Sequence, residues 1–278
     1  MAGSTSTASP SRGLLPGAAA RLFSVPGLVV ATLALFLLPP WLLGAALTRM
    51  VDGAMGPFTV ADSPLLRPLA EIISKNPTLL LAHLFWLVAV AVIVRLAWLL
   101  LLAGVLGQLA SPVGAATLLA RGVRGLPRIL VVGLWHALLR LLLVAGPGWL
   151  AFEVLEGGWA AFAWGVVALS WWGSVVALDL AWTRAVLRPR RPYHPRTAWR
   201  GYVEAVRRPG VLLASSGLVM LQSALLLAVP YLAATGAAEG AGPWIPRLLA
   251  ALACVVALLR LAVAVEAVES PAGRRFAS

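Results

Sequence analysis

The sequence predicts an all-α integral membrane protein with six transmembrane helices, and two observations support this fold class. Hydrophobic residues make up 61% of the 278-residue chain and charged residues only 12%, with a mean hydropathy of +0.92, whereas soluble domains carry roughly 25% charged residues. Apolar runs of about 20 residues recur along the chain, the length that crosses a bilayer core of about 30 Å. A soluble chain would need a polar surface that this composition does not supply, so the composition excludes a soluble globular protein.

The N-terminal part of the chain changes character after its first residues. Residues 1–16 are rich in Ser, Thr, Gly and Pro, which predicts a disordered cytoplasmic N-terminus before a membrane domain at 17–269. The first span is predicted at about 25–47. This stretch is too long for the hydrophobic region of a signal peptide and no clear A-x-A cleavage site follows it, so we interpret it as an uncleaved anchor. Pro39 and Pro40 inside it are expected to kink or break the helix.

Five further spans follow from the remaining apolar runs. They are predicted at about 78–107, 128–151, 159–182, 210–233 and 245–267. Between the first two spans, residues 63–75 are predicted to form an amphipathic helix, because apolar and charged side chains separate onto opposite faces at helical spacing. Residues 183–209 are predicted to be an Arg-rich cytoplasmic loop with an interfacial helix, and residues 270–278 a cytoplasmic tail.

The distribution of basic residues predicts the orientation. With the N-terminus in the cytoplasm, most of the 22 Lys and Arg residues fall in cytoplasmic segments, which is the bias that the positive-inside rule requires. Both termini are therefore expected in the cytoplasm. Only Lys75 is a lysine, and this preference for Arg, with abundant Ala, Gly and Pro, favours a GC-rich bacterial genome. The predicted location is the bacterial cytoplasmic (inner) membrane.

A short pattern suggests that the spans form three repeated helical hairpins. It recurs in the second helix of each hairpin, as VIVRLAW at 92–98, VALDLAW at 176–182 and ALLRLAV at 257–263. Leu and Ala are so common in this chain that such matches also arise by chance, which is the alternative interpretation. If the repeat is real, Arg95, Asp179 and Arg260 occupy equivalent positions and lie at similar depth in the membrane.

Four charged residues fall inside predicted spans: Arg95, Arg140, Asp179 and Arg260. Each costs about 2.5–3.5 kcal/mol on insertion scales, so such groups usually pair or face a cavity. The structural interpretation pairs Asp179 with Arg95 or Arg260 and lets the other Arg side chains reach the interface. The functional interpretation is a polar patch that lines a pathway or substrate pocket and includes Arg140.

Two cytoplasmic segments resemble interfacial helices on an anionic leaflet. In the segment 197–209, capped by Thr197, one face is expected to carry Trp199, Tyr202, Val203 and Val206, and the other Arg200, Glu204, Arg207 and Arg208. The segment 112–127 repeats the design more weakly. Contact with anionic lipid headgroups is predicted for Arg121, Arg124, Arg200, Arg207 and Arg208. Nucleic-acid binding is disfavoured because it would leave the apolar face of the helix exposed at the membrane.

No residue pattern indicates catalysis, a cofactor or a metal. Cys254 is the single cysteine, and His83 and His136 lie in different spans without ligand spacing. Ser170 and Ser174 have no base near them in sequence, and no Gly-rich phosphate loop is present. The protein is therefore not expected to be an enzyme.

Two functions remain open from the sequence. The leading hypothesis is a non-enzymatic scaffold or subunit of a membrane complex, whose partners are the lipid bilayer and another membrane protein. The alternative is a small-molecule or ion transporter or permease with a pathway near Arg140 and Asp179. A water-accessible cavity that reaches either residue would distinguish the two.

Overall fold

The computed structural model of the chain describes residues 13–39, 77–112, 115–153, 157–188, 193–234 and 244–270. Every regular element within these ranges is helical. The predicted amphipathic helix at 63–75, residues 40–47 of the first predicted span and most of the cytoplasmic tail lie outside the described residues.

The described helices are numbered in chain order. They are α1 (Leu14–Phe23), α2 (Pro26–Pro39), α3 (Pro77–Ala110), α4 (Ala115–Arg140), α5 (Gly146–Glu153), α6 (Gly157–Leu187), α7 (Arg196–Arg207), α8 (Pro209–Ala234) and α9 (Trp244–Glu269). A π-helical segment, Leu141–Ala145, joins α4 to α5.

Within the described residues, five helical segments are long and apolar enough to cross a membrane. They are Val88–Ala110, Thr117–Trp149, Gly157–Leu187, Pro209–Val229 and Trp244–Glu269. They correspond to the five later spans that the sequence predicts, and they indicate a multi-pass membrane protein. A sixth span exists if α1 and α2 count as one, but the two helices meet at an angle of 82°. The chain is already helical from Leu14, so the last residues of the predicted disordered segment 1–16 belong to α1.

The predicted boundary at the start of the third span is absent. Helix α4 runs from Ala115 to Arg140 straight through Pro127, so the interfacial segment and the span form one helix rather than two. The break comes later, at the π-helical segment. Pro147 explains its position, because a proline has no N–H to donate to the carbonyl four residues back and its ring clashes with that carbonyl, which a wider turn relieves.

Glycines allow α3 and α4 to pack backbone against backbone. A Cβ atom added at Gly104 or Gly122 would collide with a backbone carbonyl of the opposite helix, that of Leu118 or Leu100 respectively. At Gly125 it would collide with the Ala103 side chain. Small residues at such contacts are the usual means of close helix association in a membrane. This packing fixes where the basic residues of α4 lie relative to the end of α3.

The two ends of the bundle differ in packing. Most of the fully buried side chains, among them Leu106, Leu180 and Val265, lie toward the C-terminal ends of α3, α6 and α9. At the opposite end large aromatic side chains are exposed: Trp149, Phe152, Trp159, Phe162, Tyr231 and Trp244. A ring of exposed aromatic side chains at one end of the spans is typical of a membrane–water interface.

Candidate functional site: an Arg-lined cavity between the helices

A cavity of about 360 Å³ lies within the bundle. Its lining includes the charged, amide and hydroxyl side chains Thr32, Arg95, Arg140, Asp179, Gln222 and Arg260. The remaining wall is mainly apolar and contains the aromatic rings of Phe36, Trp98 and Trp182. The fold thus brings to one cavity all four of the intramembrane charges that the sequence predicts to be significant, from helices α3, α4, α6 and α9.

Asp179 and Arg260 form an ion pair at this cavity. Arg260 Nε lies 2.5 Å from Asp179 Oδ2, and Arg260 Nη1 donates a hydrogen bond of 2.8 Å to Gln222 Oε1. The Asp179 side chain is 3% exposed and that of Arg260 is 15% exposed. The prediction that Asp179 pairs with Arg95 or Arg260 is confirmed, with Arg260 as the partner. Gln222 was not predicted as part of this pair.

Arg140 is held by an aromatic ring rather than by a carboxylate. Its Cζ atom lies 3.1 Å from the centroid of the Trp171 ring, a cation–π contact between α4 and α6. Its Nε and Nη2 atoms are buried and have no hydrogen-bond partner among the described residues. Buried donors without a partner cost about 1–3 kcal/mol each, and more when the group is charged. Arg140 therefore presents unsatisfied positive donors in the wall of the cavity.

Arg95 adds a third guanidinium group to the lining. Its side chain is more exposed than those of the other three charges, and no described carboxylate lies within ion-pair distance of it. The described lining therefore carries three cationic groups and one anionic group. Because Asp179 is engaged with Arg260, the positive charges of Arg95 and Arg140 are not neutralised by any described acid at the cavity.

His136 connects the wall of the cavity to helix α7. It lies one turn before Arg140, is 2% exposed, and stacks on Tyr202 of α7 with ring centroids 5.1 Å apart. Tyr202 Oη is 3.4 Å from His136 Nε2. Burial raises the pKa of Tyr202 to about 12, although the nearby Arg140 charge opposes the shift. Tyr202 therefore packs on the protein, and its predicted place on the apolar, membrane-facing side of the helix is wrong. Trp199, predicted on the same face, is half exposed.

Helix α7 differs from its prediction in two further ways. It begins at Arg196 rather than after a Thr197 cap, and the Arg196 N–H donates to His194 Nδ1 over 3.1 Å. Glu204, expected on the solvated face, is 3% exposed and forms ion pairs with Arg184 at 2.7 Å and Arg208 at 3.3 Å. The other buried residues of α7 are small: Ala198, Gly201 and Ala205. Gly201 lies directly against the Ala177 carbonyl of α6.

The predicted lipid-contacting arginines divide into two groups. Arg124, Arg200 and Arg207 are exposed. Arg121 Nη1 donates to the carbonyl oxygens of Gly107 and Ser111, where it caps the end of α3.

Arg208 belongs to the protein interior rather than to the lipid-facing surface. Its Nη1 donates to the Ala267 carbonyl over 2.6 Å, and its side chain is 10% exposed. Burial lowers the pKa of this guanidinium, and the Glu204 carboxylate opposes that shift. Its predicted headgroup contact is therefore replaced by contacts within the bundle.

The N-terminal helix is fixed to the C-terminal one by charges that the sequence did not single out. Arg21 of α1 forms ion pairs with Glu266 at 2.6 Å and Glu269 at 2.8 Å. It also donates to the carbonyl of Leu109 at the end of α3. Arg21 and Glu266 are 245 residues apart in sequence, so no local spacing of residues could have predicted their contact.

Within the part of the chain that the structure describes, no three His, Cys, Asp or Glu side chains are grouped so that they could hold a metal ion. Ser174, considered above as a nucleophile, donates its hydroxyl hydrogen to the Trp171 carbonyl over 2.6 Å. No protein-family model, curated protein or solved structure matches this chain.

Proposed function

We propose that the protein binds a small organic anion in the Arg-lined cavity and carries it across the bacterial cytoplasmic membrane. In this proposal the chain crosses the membrane six times as three related hairpins, with both termini in the cytoplasm. The proposal favours the transporter hypothesis over the scaffold hypothesis. It rests mainly on one observation, the excess of guanidinium groups over carboxylates at a cavity within the bundle.

Electrostatics supports an anionic ligand. Charged side chains at membrane depth are costly, and they persist where they pair, face water or bind a ligand. Asp179 is already paired with Arg260, while Arg140 keeps buried donors without a described partner. A carboxylate, sulfonate or phosphate group bound beside Arg140 would satisfy those donors and neutralise part of the excess charge.

The shape of the cavity supports a ligand with an apolar body. Its volume of about 360 Å³ falls at the lower end of the range of small-molecule sites. Phe36 and Trp98 form part of its wall, with ring centroids 5.1 Å apart. A single aromatic or short aliphatic anion fits this combination of a charged group and an apolar wall.

Two features provide a route from binding to transport. A bound anion competes with the Asp179 carboxylate for Arg260, so occupancy would weaken the contact between α6 and α9 that the ion pair makes. The π-helical segment Leu141–Ala145 begins directly after Arg140, and such segments occur frequently at functional sites. Ligand binding at Arg140 would therefore act on the point where the long α4–α5 unit departs from regular helix.

The test uses the full-length protein in sealed vesicles of zwitterionic lipid. Radiolabelled benzenesulfonate is the probe, because it stays ionised and crosses bare bilayers slowly, and methanesulfonate serves as an anion without an aromatic body. We expect saturable uptake of benzenesulfonate, at least about tenfold lower in Arg140→Gln, since loss of one charge-assisted contact is worth about 1.5–3 kcal/mol. Arg247→Gln is the matched control, because Arg247 is exposed beside Trp244 and does not line the cavity.

The outcomes separate the hypotheses. Uptake that is equal in Arg140→Gln and in the unaltered protein would contradict the proposed site. Saturable binding without uptake would leave a binding protein rather than a transporter. If neither anion binds to the purified protein in neutral detergent, the result would favour the scaffold hypothesis over the transporter hypothesis.

A further inference from the structure

A second basic pocket, of about 360 Å³, lies where α3 and α6 end, apart from the Arg-lined cavity. Arg121, Arg124 and Arg128 line it together with Ser111 and Leu187. No acidic residue belongs to its described lining. Such a pocket between helix ends is a concentrated positive site, and it plays no part in the function proposed above.

The spacing and packing of α4 create this pocket. Arg121, Arg124 and Arg128 stand three and four residues apart, so they follow one another along one face of the helix. The glycine contacts between α3 and α4 hold this face against the end of α3. Arg121 uses one nitrogen to cap α3, whereas Arg124 and Arg128 make no hydrogen bond or ion pair with any described residue.

The pocket lies at the depth of a headgroup. The candidate span that includes α4 begins at Thr117 and has 33 residues, a helix of about 50 Å, whereas the bilayer core is about 30 Å thick. Trp149 at its other end belongs to the exposed aromatic side chains that mark one interface, so its first residues extend beyond the hydrocarbon on the opposite side. The pocket also lies beside the C-terminal ends of the spans Val88–Ala110 and Gly157–Leu187.

We propose that this pocket binds the phosphate headgroup of an anionic phospholipid. Three guanidinium groups provide paired donors for phosphate oxygens, and basic pockets between spans on the cytoplasmic side are known lipid-binding arrangements. Val186 and Leu187 of α6 form an apolar wall of the pocket. Leu119 and Val123 are exposed on α4, the helix that carries the three arginines. This apolar surface favours a phosphate that carries acyl chains over a free phosphate ion.

The test compares two double variants that remove the same charge. Arg124→Gln/Arg128→Gln removes two arginines of the pocket and keeps the Arg121 cap, while Arg200→Gln/Arg207→Gln removes two exposed arginines of α7. The full-length protein is reconstituted in phosphatidylcholine nanodiscs with increasing phosphatidylglycerol, and bound lipid is measured by native mass spectrometry. We expect the pocket variant to lose at least about a hundredfold in affinity for phosphatidylglycerol, because it loses two charge-assisted contacts with the phosphate. The α7 variant is expected to lose no more than about thirtyfold, because its two arginines attract the lipid only through charge near the surface.

Each outcome decides the proposal. Equal losses in the two variants would show that surface charge alone attracts lipid, and would overturn the pocket. Inorganic phosphate is added as a competitor of bound phosphatidylglycerol. If it displaces the lipid at concentrations similar to those at which phosphatidylglycerol itself binds, the site belongs to a free anion and the proposed lipid is wrong. If the Gln variant fails to fold, Arg124→Lys/Arg128→Lys replaces it: intermediate affinity supports recognition by paired donors, and unchanged affinity contradicts it.

Discussion

The Asp179 carboxylate and the Arg260 guanidinium join α6 to α9 through an ion pair of 2.5 Å that is almost fully shielded from solvent. Gln222 of α8 accepts a hydrogen bond from the same guanidinium, so three helices meet at one arginine. A buried pair of this kind stabilises the bundle little relative to an apolar alternative, but the loss of one partner is costly.

Asp179→Asn is therefore expected to lower the free energy of unfolding by about 3–5 kcal/mol, because Arg260 keeps its charge without a carboxylate. The double variant Asp179→Asn/Arg260→Gln is expected to be markedly more stable than the sum of the single changes predicts. Denaturant unfolding of the four proteins in mixed micelles gives the coupling energy. Glu153→Gln, at an exposed carboxylate, is the control and should change stability by less than about 0.5 kcal/mol. Strictly additive losses would mean that the pair is not coupled.

The ion pair was predictable from sequence for a physical reason. Arg95, Asp179 and Arg260 stand in the same short pattern of apolar residues, and equal positions along helices of similar length put charges at similar depth. Opposite charges at one depth in a low-dielectric region attract strongly, so one pair was expected. Which arginine pairs with Asp179 depends on the order of the helices around the bundle, and no local pattern reports that order.

The Glu204 ion pairs provide a second prediction. Glu204→Gln leaves Arg184 and Arg208, whose side chains are 8% and 10% exposed, without the carboxylate between them. We expect a loss of about 3–5 kcal/mol and faster hydrogen exchange of the α7 backbone amides, because Glu204 connects α7 to α6 and to the start of α8. Arg200→Gln, an exposed change on the same helix, should leave exchange unchanged. Protection of α7 that survives Glu204→Gln would show that packing alone holds it.

The wrong prediction for Glu204 shows where amphipathic patterns fail. Hydropathy assigns a carboxylate to the solvated face of an interfacial helix. In this bundle the arginine beneath it, Arg184, lies near the end of α6 and is itself buried, and a buried cation draws the carboxylate inward. The 20 residues that separate the two place them on different helices, so only the tertiary fold brings them together.

Gly201 provides a third prediction, one that depends on packing rather than charge. A Cβ atom at this position would overlap the Ala177 carbonyl and press on the Ala181 side chain. Gly201→Ala is expected to cost about 1–3 kcal/mol, the usual penalty for overpacking, measured as the shift in the unfolding midpoint. Gly217→Ala is the matched control, because nothing lies within 4 Å of the added atom and alanine is the better helix former. A smaller cost for Gly201→Ala than for the control would contradict the close approach of α7 to α6.

The orientation of the chain is the fourth prediction. Gly158 lies at the start of the 31-residue helix α6, and Tyr193 follows its end by six residues. The helix is about 45 Å long, so a membrane that α6 crosses separates the two positions. Both variants carry Cys254→Ala so that the introduced cysteine is the only one. Tyr193→Cys should react with an impermeant maleimide only after the cytoplasmic side is opened. Gly158→Cys should react with it in intact cells. Gly158 is preferred to Gly157, whose φ of +59° disfavours a side chain, and a Cβ at Gly158 meets nothing within 4 Å.

This orientation is expected because the segment that follows α6 has an excess of arginine, which resists transfer across the membrane. The reverse labelling pattern would place both termini outside, and labelling of both sites from one side would mean that α6 does not cross the membrane.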